Sequence, residues 1–339
     1  MKLTRRAFAA AAMTVLIPTG CAAQSGGGSG GSDGSGASDG SAAAGDQSFP
    51  QTVTTAFGDV TVDAKPSRVV ALGWGDAETA LALGVQPVGA SDWLGFGGEG
   101  VGPWAQGLYT SPPTIIDTLE PSYEAIAALK PDLILDVKSS GDKDRYEKLS
   151  EIATTIGVPE GGESYLTTTN AQMTMISTAL GMPDKGAELL DEVNSAFEAA
   201  ASAHPEWKGK TVTAATKTSE GWGAYIEGGG RVDTLSKFGF VQNPQIAALP
   251  VSSSGFSVDV SSEQLDLFDA DLIVAFPIYI ETTAITDDPQ WKQLSTVQAG
   301  HAVVIDGDLS SAFSTETTLS SKYTIEGLVP LLEKAVPAS

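Results

Sequence analysis

The stretch Pro183–Ala203, PDKGAELLDEVNSAFEAAASA, decides how this chain is organised. Leu190, Val193, Phe197 and Ala200 recur at helical spacing on one face, with Glu188, Glu192 and Glu198 largely elsewhere. Pro183 suits the first turn of a helix, Asp184 adds favourable negative charge near its start, and His204-Pro205 stops it. About twenty residues rising about 1.5 Å each make a rod of about 30 Å, long enough to join two lobes.

On either side of this helix the sequence echoes itself. Glu124-Ala-Ile-Ala-Ala-Leu-Lys-Pro-Asp132-Leu133-Ile134-Leu135 matches Glu263-Gln-Leu-Asp-Leu-Phe-Asp-Ala-Asp271-Leu272-Ile273-Val274. Each copy opens a short helix with glutamate and then enters an apolar strand through Asp-Leu-Ile. Repetition of this kind predicts two α/β lobes of related design. In the first half, a hairpin is expected over Val53–Val62. Val69–Leu72 then reads as a buried strand, Asp76–Leu83 as a helix and Pro87–Ala90 as the next strand, an order that predicts parallel pairing. Trp93–Tyr109 reads as an aromatic-rich loop. In the second half, Thr211–Thr216, Val232–Phe238 and Ala302–Ile305 fit strand, helix and strand.

Residues 1–21 read as an export signal: a twin-arginine start at Arg5-Arg6, an apolar run from Ala9 to Ile17, and Gly20-Cys21. Cys21 is the single cysteine, which rules out an intramolecular disulfide. Its position resembles the lipidation site of bacterial lipoproteins, with Pro18 where leucine is usual. Residues 22–49, rich in Gly, Ser, Ala and Asp, bury too little to fold and read as a tether. The expected order is then a first lobe at 50–170, a connecting helical segment at 171–205 and a second lobe at 206–339. The formal net charge is −23, or −26 without Lys2, Arg5 and Arg6, which disfavours nucleic acid and anionic lipid as partners.

Pro66-Ser67-Arg68-Val69-Val70-Ala71-Leu72, with Leu81 to Gly89 after it, resembles the opening of the periplasmic siderophore- and vitamin-B12-binding proteins of ABC importers. Lys130-Pro131-Asp132-Leu133-Ile134, Tyr146 to Ala153, Ser262-Glu263-Gln264-Leu265 and Trp291 to Leu294 extend the resemblance over residues 50–335. It implies two Rossmann-like α/β lobes joined by a single long rigid helix, with a ligand cleft between them. It also implies a monomeric extracytoplasmic binding protein, anchored to the outer face of the cytoplasmic membrane, that hands a ferric siderophore to an ABC permease.

In open α/β sheets ligands sit beyond the carboxyl ends of the strands. That rule selects Trp74, Asp92, Trp93, Lys138, Trp222, Tyr225, Arg231 and Tyr279 as candidate ligand-binding residues. Aromatic walls with a few cations suit a bulky, partly apolar iron complex with oxygen atoms at its surface. Without the signal only Arg68, Arg145 and Arg231 remain as arginines, which favours a hydroxamate over a strongly anionic catecholate. In the family resembled, one glutamate of each lobe meets arginines of the permease, and Glu124 and Glu263 occupy the matched positions. The alternatives are a haem or cobalamin binder of the same fold and an exported hydrolase. Two histidines, no nucleophile elbow, no zinc-protease motif and no Walker loop speak against catalysis. No catalytic residue, cofactor or protein metal site is expected.

Overall fold

The computed structural model describes residues 48–338, so the export signal, Cys21 and nearly all of the tether lie outside the described residues. The first lobe opens on an antiparallel hairpin, β1 (Gln51–Thr55) with β2 (Gly58–Val62), in which Val53 opposes Val60. Five short strands then build a parallel sheet: β3 (Val69–Ala71), β4 (Gly89–Ser91), β5 (Thr114–Ile116), β6 (Leu133–Leu135) and β7 (Thr154–Ile156), in the order β5-β4-β3-β6-β7. All three residues of β3 and of β6 are buried, which is why these strands read as unbroken apolar runs without alternation.

The second lobe holds β8 (Thr211–Lys217), β9 (Trp222–Tyr225), β10 (Val241–Gln242), β11 (Ser257–Val260), β12 (Leu272–Pro277) and β13 (Ala302–Val304). Their order is β11-β9-β8-β12-β13, with β10 also beside β8. β8 pairs in parallel with β10 and β12, as β12 does with β13, but β9 runs antiparallel to both β8 and β11. The two sheets are therefore related without being copies.

The internal echo has a structural cause. The Asp132 carboxylate accepts hydrogen bonds from the Ser67 N–H, the Ser67 hydroxyl and the Arg68 N–H, at 2.8, 2.6 and 2.9 Å. Asp271 does the same for Thr211, accepting from its N–H at 2.7 Å and its hydroxyl at 2.9 Å. In each lobe the aspartate that enters the second central strand pins the start of the first. These bonds hold both carboxyls below the usual aspartate value against the opposing effect of partial burial.

Pro183–Ala203 forms one helix over its whole length. Leu189 and Leu190 pack against the core of the first lobe, while Val193, Phe197 and Ala200 pack against that of the second. One amphipathic face thus belongs to two cores, and Phe197 and Val193, each 2% exposed, contribute about 2 kcal/mol apiece by burial. Gly186 lets this helix approach helix Thr169–Ala179, because a Cβ there would overlap the Ser177 side chain. Gly186→Val should therefore lower the unfolding free energy by about 2 kcal/mol despite its better helix propensity. Urea denaturation measures this, and an unchanged midpoint would contradict it.

Candidate functional site

A cleft of about 580 Å³ lies between the lobes and draws its walls from both. From the first lobe come Trp74, beyond β3, and Lys138, beyond β6. From the second come Tyr225 on β9, Arg231 at the start of helix Arg231–Lys237, Tyr279 beyond β12, and Glu316 after helix Gly307–Thr315.

A buried carboxylate positions the first wall. Asp76 accepts from the Gly73 N–H at 3.2 Å, the Val137 N–H at 2.8 Å and Gln172 Nε2 at 2.6 Å. Gln172 Nε2 also donates to the Trp74 carbonyl, and the Trp74 N–H donates to the Lys138 carbonyl, both at 2.8 Å. The loops carrying Trp74 and Lys138 are thereby locked together. Complete burial of Asp76 outweighs these hydrogen bonds and raises its pKa from 3.8 to about 6. A carboxyl with a raised folded-state pKa contributes stability that is full below pH 3.8 and is lost as pH rises through about 6. The loss amounts to about 3 kcal/mol. Asp76→Asn should remove this component, so the stability difference between wild type and variant should change across that window. Urea titrations at several pH values measure it, and parallel profiles would contradict it.

The second wall is aromatic and cationic. The Tyr225 ring stacks on Phe256 and Phe276, with centroids 6.0 and 5.7 Å away. Above it lies the Arg231 guanidinium, 4.5 Å from the Tyr225 centroid and 6.0 Å from that of Trp74 in the opposite lobe. Trp74 Nε1 and Arg231 Nε are both buried without a hydrogen-bond partner among the described residues, leaving two donors unsatisfied at one place. The other two described arginines are engaged elsewhere. Arg145 forms a buried pair with Asp136 at 2.8 Å, and Arg68 Nε donates to the Leu129 carbonyl at 2.8 Å.

The lobes also meet at Glu316 and Thr317. Lys138 Nζ lies 3.2 Å from Glu316 Oε2, both side chains being buried. The Thr317 hydroxyl donates to Glu78 Oε2 at 2.7 Å, and Trp104 Nε1 donates to the same carboxylate at 2.7 Å. Burial pushes the Glu78 carboxyl up, with these donors opposing the shift.

Trp74, Lys138, Tyr225, Arg231 and Tyr279 line the cleft, whereas Asp92, Trp93 and Trp222 do not. Asp92 instead closes its own loop, accepting from the Phe96 and Gly97 N–H groups at 3.0 and 2.7 Å. Trp93 stands behind Trp74, stacked at 5.6 Å, with its Nε1 donating to the Leu72 carbonyl at 2.9 Å. Trp222 and Tyr225 lie on β9 rather than in a loop, and an odd spacing along a strand sends them to opposite sheet faces. Trp222 accordingly stacks on Trp291 at 5.5 Å in the core behind the sheet. Tyr279 is 93% exposed at the rim, at φ 56°. The strand-end rule missed Tyr165, Phe256 and Phe276, which line the cleft, and Glu316, which no motif marks.

Glu124 and Glu263 are exposed, each in the first turn of the short helix that leads into β6 or β12. Each stands at the carboxyl edge of its own sheet, the edge that forms the cleft. Both histidines are peripheral to it. His204 stacks on Trp207 at 4.0 Å, and His301 lies exposed before β13.

Residues 69–309 match the family of periplasmic binding proteins. A periplasmic solute binding protein of Mycobacterium smegmatis superposes with a TM-score of 0.73 at 29% identity, covering 85% of this chain and 99% of its own. The iron-uptake substrate-binding protein PiaA of Streptococcus pneumoniae, solved with ferrichrome, gives 0.72 at 28% identity, covering 84% and 98%. The Fe(3+)-citrate-binding protein YfmC of Bacillus subtilis is 28% identical over 76% of this chain and 78% of its own. With the two lobes and the cleft between them, the match over residues 69–309 shows that the chain belongs to the periplasmic binding protein family.

Proposed function

We propose that the protein captures a ferric siderophore of the hydroxamate type outside the cytoplasm and delivers it to an ABC permease. The observation that carries this reading is the pair of unsatisfied donors, Trp74 Nε1 and Arg231 Nε, at an aromatic wall shared by both lobes. The oxygen atoms of a hydroxamate complex would satisfy these donors while its apolar shell covered the rings. On this reading iron arrives already wrapped by the siderophore. PiaA, solved with ferrichrome, supports the ligand class. Its counterweight is YfmC, named for binding ferric citrate, yet of the three cations lining the cleft Lys138 is already paired with Glu316, which leaves Arg231 and Lys237 for so anionic a complex.

On this reading Cys21 carries the lipid anchor, and Glu124 and Glu263 meet the permease. Haem is the second reading. Among the described residues no histidine, methionine or cysteine lines the cleft, which leaves its tyrosines as axial ligands.

Intrinsic tryptophan fluorescence tests the proposal, by titration with ferric hydroxamate, catecholate and citrate complexes, haem and cobalamin. Trp74 lines the cleft and Trp93 stacks on it, so a bound iron complex should quench both. Saturable quenching by the hydroxamate complex, lost in large part in Trp74→Phe, is expected. Quenching by haem or cobalamin alone would overturn it.

A further inference from the structure

Five charged side chains line the cleft: Lys138, Arg231 and Lys237 against Asp233 and Glu316. Asp233 is engaged by the backbone, accepting from the Gly228 N–H at 3.0 Å and the Gly230 N–H at 3.3 Å. Glu316 faces a cation instead, pairing with Lys138 of the opposite lobe at 3.2 Å. The fold goes out of its way to hold it there. Glu316 adopts φ 62°, uncommon for a residue with a side chain. Its carbonyl accepts from the Thr169 hydroxyl at 2.6 Å, and the next residue, Thr317, is fastened to Glu78. Its carboxylate lies against Gly230, where any Cβ would overlap it, so a glycine is needed beside it. Glu316 Oε1, moreover, is buried with no hydrogen-bond partner among the described residues.

A carboxylate held at the meeting of two lobes, with one oxygen satisfied by a lysine and the other by nothing, is an odd feature for a cleft built for anions. We propose that Glu316 is a specificity-determining residue: it cancels the charge of Lys138 across the lobes, lowering the positive charge of the lining, and so disfavours anionic ferric complexes relative to neutral and cationic ones. Its unpartnered oxygen is the natural acceptor for an ammonium or amide N–H on the ligand. The acidity of the whole chain works in the same direction, since its field disfavours anions. This inference rests on the siderophore reading above and narrows it to neutral or cationic hydroxamate complexes.

The test measures affinities of the protein for ferrioxamine B, which is cationic, ferrichrome, which is uncharged, and ferric dicitrate, which is anionic. Wild type should bind the first two more tightly than the third. Glu316→Gln should shift the ratio of cation to anion affinity toward the anion by about tenfold or more, because a unit charge near the ligand in a partly dry cleft is weakly screened. Lys138→Gln should shift the ratio oppositely by a similar factor, and serves if Glu316→Gln fails to fold. The double variant restores the net charge, and its ratio should return to within about threefold of wild type.

Equal weakening of all three ligands by either variant would mark a packing role and overturn the inference. So would an unchanged ratio, or a wild type that prefers ferric dicitrate. Binding of none of the three by wild type would overturn the siderophore reading itself, and the inference with it.

Discussion

Arg231→Ala should weaken binding of a ferric hydroxamate by about a hundredfold. The guanidinium stands 4.5 Å from the Tyr225 centroid and 6.0 Å from that of Trp74, so it closes the gap between the aromatic surfaces of the two lobes. Its Nε has no hydrogen-bond partner among the described residues, and a charge-assisted hydrogen bond to a ligand oxygen is worth about 1.5–3 kcal/mol. Loss of about 3 kcal/mol in total corresponds to about two orders of magnitude in Kd. Arg231→Lys should recover little of this, because an ammonium has neither the planar fork nor the stacking face of a guanidinium. Arg231 follows Gly228-Gly229-Gly230 at the head of its helix and is only partly buried, so truncation should leave folding intact. Calorimetric titration of both variants checks the expectation, and a Kd within threefold of wild type for Arg231→Ala would contradict it.

The double variant Glu124→Lys/Glu263→Lys should abolish ferric-siderophore uptake by cells while leaving the ligand Kd within about twofold of wild type. Both carboxylates are exposed, and among the described residues neither has a hydrogen-bond or ion-pair partner. Each sits in the first turn of a short helix, where negative charge contributes only about 0.3–1 kcal/mol to stability, so reversal should cost the fold little. On the proposed docking, reversing both would turn two attractions with permease arginines into repulsions, and like charges at an interface cost several kcal/mol. Each single variant should retain part of the uptake. Radiolabelled iron uptake in cells lacking the wild-type protein measures this, and full uptake by the double variant would remove these residues from the docking surface.

What could be read from the sequence follows from how each signal arises. The connecting helix was legible because its apolar face is periodic and its ends are marked by Pro183 and by His204-Pro205. The two-lobe plan was legible because Asp132 and Asp271 perform the same local task, fastening the first strand of each sheet, and so recur at the same place in the repeat.

The cleft was only partly legible. Trp74 and Lys138 follow the carboxyl ends of parallel strands, where a general rule applies. That rule failed at Trp222, because the second sheet turns back on itself through the antiparallel β9, and a short strand of Trp, Gly, Ala and Tyr looks like a loop. It failed at Asp92 because an aspartate that closes its own turn has the same appearance in sequence as one that points at a ligand. Glu316 was invisible for a different reason. Its importance lies in Lys138, far away in the sequence, and in the glycine that makes room for its carboxylate. Asp76 also follows the Val69–Leu72 strand and so falls under the strand-end rule, whereas it does not line the cleft but gathers three donors from separate segments in the core.

Diffraction at the iron absorption edge, on crystals of the folded body grown with a ferric hydroxamate, tests the account most directly. One anomalous peak is predicted in the cleft between Trp74 and Arg231, with every iron ligand supplied by the siderophore. A peak outside the cleft, or a protein oxygen or nitrogen coordinated to the iron, would contradict it.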